Sequence, residues 1–221
     1  MNRFQRRLAF LVAAVLACAA ALATVQYHDP DTWPQRDTWQ HPAEVMDALH
    51  VASGGAVADV GAGEGYFTDR MARRVGTSGK VYAVDIDSGA LRSLRELKSR
   101  EHLPQVEVVE GAADDPHLSP NSLDSVLIVN AYHEFRQHDA MLHAIARALK
   151  PGGYLGIIEK ADQPGEKRES YERRHHLPEQ FVREDLARDG FEQVEKKPDF
   201  HPSASREGEV WYFLVARPTA K

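Results

Sequence analysis

A glycine-rich turn between a predicted strand and a predicted helix constrains the fold more than any other feature of this 221-residue chain. The apolar run Val57–Val60 predicts a short strand, and Tyr66–Val75 predicts a helix. Between them lie three alternate glycines, Gly61, Gly63 and Gly65. Glycine lets a backbone adopt positive φ and approach a ligand where a Cβ atom would collide. The turn therefore predicts a ligand site at the carboxyl end of a strand.

Strands and helices alternate along most of the remaining chain. Further strands are predicted at 81–84, 106–109, 125–129 and 154–158, and further helices at 42–49, 90–98, 140–149 and 177–188. Continuous apolar strands joined by helices predict a parallel sheet covered on both faces. Two last strands, at 191–196 and 210–216, predict an antiparallel pair. The expected fold class is α/β, a doubly wound, mostly parallel seven-stranded sheet with a C-terminal antiparallel strand pair.

Composition excludes several classes of protein. The chain has 27 Lys and Arg against 33 Asp and Glu, a formal net charge of −6. Such a field does not attract a phosphate backbone, so no nucleic-acid partner is expected. Hydrophobic residues make up 43% and charged residues 27%, which excludes a disordered polyelectrolyte and a multi-span membrane protein. Cys18 is the single cysteine, so neither an intramolecular disulfide nor a thiolate metal site is expected.

The first 23 residues have the pattern of an export signal. Three arginines precede an uncharged apolar run at 8–23, which is typical of a secretory signal peptide. Cleavage after Ala21-Leu22-Ala23, lipidation of Cys18 and an uncleaved anchor all remain open. Each would export the domain, to the periplasm or as an envelope-anchored lipoprotein, with the N-terminal segment as a membrane tether in the last two cases. Residues 24–40 lack periodicity and predict a linker, so the functional domain is expected at 41–221.

Carboxylates in and beside the glycine turn indicate the kind of ligand. The spacing is Gly-x-Gly-x-Gly, whereas the dinucleotide fingerprint requires Gly-x-Gly-x-x-Gly, which disfavours an NAD-dependent oxidoreductase. Asp59 and Glu64 would repel a pyrophosphate but suit the cationic amino group and sulfonium of a methionyl group. Asp85 ends the second predicted strand. It can accept two hydrogen bonds from a ribose diol, or it can serve as an ordinary turn or helix-cap acid.

Four sequence blocks occur in the order typical of one enzyme family. They are Val-Ala-Asp-Val-Gly-Ala-Gly-Glu-Gly-Tyr-Phe at 57–67, Val-Tyr-Ala-Val-Asp-Ile-Asp at 81–87, Ser-Leu-Asp-Ser-Val-Leu-Ile-Val-Asn at 122–130 and Leu-Lys-Pro-Gly-Gly-Tyr-Leu at 149–155. With these blocks the chain resembles the class I, seven-stranded, Rossmann-like S-adenosylmethionine-dependent methyltransferases. The resemblance implies S-adenosylmethionine as cofactor, with its ribose on Asp85 and its methionyl part near Asp59, Gly61, Gly63 and Gly65.

The chain departs from the family pattern at the residue expected to hold adenine. The family usually has an acidic or amide residue followed by Ala after the third strand, where this chain has Gly111 followed by Ala112. Asp114 or Asp115 can take this place, and Asp114 is the one assigned to the adenine amino group. The alternative is that Asp114 and Asp115 cap the turn before Pro116. Asn130, which ends the fourth predicted strand, completes the expected cofactor set.

The segment after the fourth strand carries the candidate catalytic residues. Tyr132-His133-Glu134 resembles a Tyr-His-His or Tyr-His-Glu segment of exported bacterial methyltransferases of unassigned substrate. His133 is the expected base, because an unperturbed histidine is mostly neutral at pH 7 and can accept a proton. Tyr132 is expected to orient the substrate or to pack on adenine. The alternative for His133 is a hydrogen-bonded wall residue without a catalytic role.

No metal ligand is expected from the histidines. His133 and His138 are five residues apart rather than four, and on a helix their rings would diverge by about 140°. His175 and His176 lie in a charged segment and are interpreted as an exposed pair, with a substrate lid as the alternative.

These observations predict an S-adenosylmethionine-dependent methyltransferase with a small-molecule substrate. The alternative is a non-catalytic protein that binds S-adenosylmethionine or another adenosine ligand on the same fold. The sequence leaves open the methyl acceptor, its nucleophilic atom and the oligomeric state.

Overall fold

The computed structural model of the chain describes residues 30–197 and 210–219. The predicted export signal at 1–23 and the start of the predicted linker lie outside the described residues. Within the described ranges, no helix is both long enough and apolar enough to cross a membrane. The chain divides into two units, Met1–Thr38 and Trp39–Lys221.

The described part of the first unit has regular structure. A 3-10 turn at Pro30–Thr32 is followed by helix α1 at Trp33–Gln40, whose last two residues belong to the second unit. The sequence predicted an aperiodic linker over these residues. Pro34 lies in the first turn of α1, where its missing N–H has no helical partner to lose. A helix of eight residues, little more than two turns, is too short to show a clear apolar period in the sequence.

The second unit contains seven strands with helices between them. In chain order its elements are α2 (Pro42–Ala48), β1 (Ala56–Val60), α3 (Tyr66–Val75), β2 (Lys80–Asp85), α4 (Ser88–Arg100), β3 (Val106–Glu110), β4 (Leu123–Val129), a 3-10 turn (Tyr132–Glu134), α5 (His138–Ala148), β5 (Leu149–Lys160), α6 (Arg168–Glu172), α7 (Glu179–Arg188), β6 (Phe191–Lys197) and β7 (Trp211–Pro218).

The seven strands form one sheet in the order β3-β2-β1-β4-β5-β7-β6. Strands β1 to β5 pair in parallel, and β7 lies antiparallel between β5 and β6. The predicted fold class is confirmed. The strand order reverses between β1 and β4, so a crevice opens there at the carboxyl ends of the strands.

The central strands form the core. Val57, Ala58 and Val60 of β1 are at most 2% exposed, and Val126 and Ile128 of β4 are fully buried. Consecutive buried residues are what a parallel sheet with helices on both faces requires. This packing gives the crevice between β1 and β4 a rigid floor.

Strand β5 begins earlier than the sequence predicted. The sequence predicted a helix up to residue 149 and a strand only from Tyr154, but Leu149 already pairs with Leu123 of β4. A Cβ atom at Gly153 would lie 3.0 to 3.2 Å from three backbone oxygens. The irregular start of β5 therefore depends on a residue without a side chain.

Gly65 provides a test of how the glycine turn packs. Its φ is +89°, and a Cβ atom there would lie 2.5 Å from Leu97 Cδ2 and 2.9 Å from Leu94 Cδ2, both on buried positions of α4. We expect Gly65→Ala to lower the free energy of unfolding by about 2 to 4 kcal/mol in urea denaturation, through overpacking and left-handed strain.

The matched control is Gly63→Ala, because Gly63 also has positive φ (+55°) but has nothing within 4 Å of an added Cβ. It should cost about 1 kcal/mol through backbone strain alone. Equal losses in the two variants would contradict the packing explanation for Gly65.

Candidate functional site

The glycine turn is fastened to the end of β2. The amides of Gly61 and Ala62 both donate to the carbonyl oxygen of Val84, at 2.9 and 3.0 Å, and the amide of Gly65 donates to Ala62. The backbone of the turn is therefore hydrogen-bonded within the protein.

The three glycines of the turn differ in what surrounds the position of a missing side chain. A Cβ atom at Gly61 would lie 2.5 Å from Cβ of Ala131, so this glycine permits close approach of the turn to the end of β4. Gly65 is required by its contact with α4. Gly63 alone faces open space. Packing of the protein thus explains two of the glycines, whereas no described neighbour lies within 4 Å of a Cβ atom added at Gly63.

The carboxylate of Asp85 holds the glycine turn in place. Its Oδ2 accepts a hydrogen bond from the amide of Gly63 at 2.8 Å. Its Oδ1 accepts from the amides of Ile86 and Asp87, at 2.8 and 2.9 Å. A carboxylate offers about four acceptor positions, so one remains for a ligand hydroxyl. Both sequence interpretations of Asp85 are compatible with this geometry, although the helix cap of α4 is Asp87, which accepts from Ala90.

Asp59 lies beneath the turn. It is 3% exposed, and its Oδ2 accepts a hydrogen bond from Thr68 Oγ1 at 2.7 Å. Because Thr68 belongs to α3, this bond ties the helix to β1.

Asn130 presents a buried acceptor at the crevice. Its backbone has a φ of +51° and its amide donates to Ile158 at 2.8 Å. Its Oδ1 is buried and has no hydrogen-bond partner among the described residues. A buried acceptor without a donor costs about 1 to 3 kcal/mol. The site is therefore suited to a ligand that brings an N–H or O–H donor.

Asp114 and Asp115, the two acids after β3, have different environments in the structure. Asp115 accepts from the amide of His117 at 2.7 Å, and its carbonyl oxygen accepts from Ala112 at 2.7 Å. Asp115 therefore stabilises the turn, whereas Asp114 is exposed. The assignment of Asp114 to adenine stays a prediction.

His133 is buried against an acid from the neighbouring strand. Its Nδ1 lies 2.9 Å from Oε2 and 3.1 Å from Oε1 of Glu159, and its amide donates to the same carboxylate at 3.2 Å. Both side chains are fully buried. The other ring nitrogen, Nε2, lies 3.1 Å from Nδ1 of His175.

This environment changes the protonation of His133. Burial by itself lowers the pKa of the imidazole, but Glu134 and Glu159 outweigh burial and raise the pKa of His133 to about 9. The expected neutral histidine at pH 7 does not fit these surroundings, because two carboxylates favour the imidazolium form.

Tyr132 is held inside the protein. Its side chain is fully buried, and its hydroxyl donates to Asp185 Oδ2 at 2.9 Å. Burial and then Asp185 raise the pKa of Tyr132 far above its usual range. The hydroxyl anchors the turn at 132–134 to α7, and whether the ring also contacts a ligand stays a prediction.

The sequence did not predict that Glu159 and His175 contact His133. Glu159 ends an apolar stretch, Ile157-Ile158, and a buried acid after such a stretch is a signal that was available. His175 has a side chain that is 65% exposed, as expected of a surface pair, yet it contacts His133. His138 instead lies 2.6 Å from Asp139.

Comparison with known proteins agrees with this architecture. Residues 57–153 match the family model described as a methyltransferase domain. An uncharacterized methyltransferase of Mycobacterium tuberculosis is 36% identical over 124 residues, which are 56% of this chain and 47% of that protein. The ubiquinone/menaquinone biosynthesis C-methyltransferase UbiE of Pasteurella multocida is 34% identical over 115 residues, 52% of this chain and 43% of that protein. The chain spans about half the length of these relatives.

A solved structure extends the likeness to most of the chain. The crystal structure of a SAM dependent methyltransferase from Aquifex aeolicus superposes with a TM-score of 0.68 at 23% identity, covering 85% of this chain and 97% of that one. The chain therefore has the Rossmann-like methyltransferase fold, and the crevice between β1 and β4 is the candidate site on that fold.

The buried pair of His133 and Glu159 can be tested by stability. We expect Glu159→Ala to lower the free energy of unfolding by about 3 to 5 kcal/mol, because it removes the fully buried carboxylate that accepts hydrogen bonds from both the ring and the amide of His133. Glu134→Ala is the control. Its side chain is 64% exposed, so the loss should stay below about 1 kcal/mol. Denaturant unfolding of Glu159→Ala, of His133→Ala and of the double variant forms a double-mutant cycle. If the two single losses of unfolding free energy add up to that of the double variant, the two residues do not form a direct pair.

Proposed function

We propose that this protein is an S-adenosylmethionine-dependent methyltransferase with a small-molecule acceptor. The observation that carries the proposal is the carboxyl edge of β2, β1 and β4, where Gly63 faces open space and Asn130 Oδ1 is buried without a partner in the described structure. The match of residues 57–153 to a methyltransferase domain supports it.

The residues at this edge fit the chemistry of the cofactor. A methionyl ammonium could donate to the buried oxygen of Asn130, and the nearby carboxylates favour positive charge. The remaining acceptor position of Asp85 fits one ribose hydroxyl; a diol held through both hydroxyls would have to replace one of the backbone donors. Ile86, 64% exposed, offers an apolar surface next to Asp85 that suits a flat base. When bound, the cofactor supplies an electrophilic methyl group on sulfur.

The acceptor side is assigned to the turn that follows Asn130. Because Nδ1 of His133 is bound to Glu159, Nε2 is the ring nitrogen that remains for an acceptor or for another ligand. Tyr132 acts as a positioning residue in this proposal, since its hydroxyl holds the turn against α7. A group that aligns the acceptor contributes most in a displacement with a good leaving group.

Binding and turnover separate this proposal from the non-catalytic alternative. The full-length chain should release or absorb heat when it is titrated with S-adenosylmethionine and with S-adenosylhomocysteine. No binding of either compound would contradict both functions. If both bind, a methyl-tritiated cofactor is incubated with a small-molecule cell extract. Label that moves to a new compound supports the enzyme, and label that never leaves the cofactor supports the binding protein.

Asp85 is expected to contribute to cofactor affinity. Asp85→Ala should weaken binding of S-adenosylhomocysteine by about 1 to 3 kcal/mol, about 5- to 150-fold, because a ligand hydroxyl loses its acceptor and the glycine turn loses its anchor. The neighbouring Asp87→Ala removes only the cap of α4 and should leave affinity unchanged while costing about 1 kcal/mol of stability. Equal affinity of Asp85→Ala and the unmodified chain, measured calorimetrically, would refute the assignment.

Gly63 is expected to face the ligand directly. Gly63→Ala should weaken binding of S-adenosylhomocysteine at least about tenfold, since its Cβ would occupy the open side of the turn. Gly152→Ala is a matched control, because Gly152 also has positive φ (+81°) and open space around an added Cβ but lies at the start of β5. A similar effect of both substitutions would mean that backbone strain, rather than ligand contact, is being measured.

A further inference from the structure

Three potential metal-ligand atoms converge beside the turn at 132–134. Nε2 of His133 lies 3.1 Å from Nδ1 of His175, and Oε1 of Glu134 lies 3.6 Å from each of these nitrogens. We refer to His133, Glu134 and His175 as the His–Glu–His cluster. Its members come from two separate segments, the turn after β4 and the chain that follows α6.

The spacing of the three atoms is that of one small tetrahedral ion. Zinc binds imidazole nitrogen at about 2.0 to 2.1 Å and carboxylate oxygen at about 2.0 to 2.2 Å, which places tetrahedral donors about 3.3 to 3.5 Å apart. The observed separations differ from this by a few tenths of an ångström. In the metal-free site Glu134 pairs with the protonated ring of His133, and one ion in place of that proton fits all three separations.

Glu159 completes the arrangement from outside the cluster. Because its carboxylate accepts the hydrogen bond from Nδ1 of His133, the proton that a metal ion would displace is the one on Nε2, and the lone pair freed there is directed into the cluster. A carboxylate behind a ligating histidine is the usual way in which proteins fix such a ring. His133 and Glu159 are both fully buried, so this ligand is rigidly held.

The charges around the cluster suit a divalent cation. Glu134 and Glu159 bring two negative charges, and within the described ranges Glu134 makes no ion pair with lysine or arginine. A second group, His138, Asp139 and Asp185, differs in this respect, since Arg168 and Arg188 already neutralise it. A cation is therefore expected at the first group and not at the second.

The cluster leaves one coordination position open. The side chains of Glu134 and His175 are 64% and 65% exposed, so the fourth position faces solvent. Two histidines, one glutamate and an open position are the ligand pattern of catalytic zinc sites.

We propose that His133, Glu134 and His175 bind a zinc ion whose open position accepts an anionic oxygen or sulfur donor. Zinc lowers the pKa of a bound water, hydroxyl or thiol. If the proposed function holds, that donor is the methyl acceptor, because the cluster follows Asn130 directly in the chain. This proposal opposes the sequence expectation of no metal, which considered His138 rather than His175 as the partner of His133.

The test uses the full-length protein, purified without a polyhistidine tag and freed of metal with a chelator. Titration with zinc chloride against a chromophoric chelator should show about one tight site per chain, with a micromolar or lower dissociation constant. His175→Ala should weaken zinc binding at least about 100-fold, and Glu159→Gln should weaken it about 10- to 100-fold by releasing the ring of His133.

His176→Ala is the matched control, because this adjacent histidine lies 3.7 Å from Oδ2 of Asp162 and is not a member of the cluster. This variant should bind zinc like the unmodified chain. Circular dichroism would confirm that the variants are folded. The absence of a tight site, or equal affinities of His175→Ala and His176→Ala, would overturn the proposal. Because no S-adenosylmethionine is present, this result is independent of whether the cofactor binds.

Discussion

The hydrogen bond from the amide of Gly63 to Asp85 is the constraint on which the crevice depends. It joins the turn after β1 to the carboxyl end of β2 over 2.8 Å, while the bonds to Val84 hold the first residues of the same turn. The turn also starts α3, so one carboxylate links a strand, a loop and a helix. Because this contact sets where the backbone of the turn lies, it also sets the shape available to a ligand at the carboxyl ends of β1 and β2.

A second buried contact organises the other side of the crevice. Glu159 holds both the ring and the amide of His133, and Asp185 holds Tyr132 in the same turn. The two acids come from β5 and α7, and together they orient Nε2 of His133 towards His175. The proposed methyl transfer and the proposed zinc binding both require this orientation. Unfolding of the Glu159 variant measures how strongly the orientation is held, and zinc titration measures whether the oriented ring binds a metal.

The sequence predicted the fold more completely than the site. Apolar strands alternating with helices have few packing solutions, so the seven-stranded sheet could be predicted from local patterns. The glycines were all interpreted as ligand-facing, whereas Gly61 and Gly65 are required by contacts with Ala131 and with α4. Such contacts join residues far apart in sequence, and a spacing pattern cannot distinguish them from space left for a ligand.

The sequence by itself determined the order of strands and helices, the glycine turn and the acid that ends β2, because these depend on periodicity and on residues near one another in the chain. Only the tertiary structure decided that His133 meets Glu159, 26 residues away, and His175, 42 residues away. These contacts depend on how β5 pairs with β4 and on where the segment after α6 lies in the folded chain. Local patterns carry no information about such contacts, so the choice of histidine partner could only come from the folded molecule.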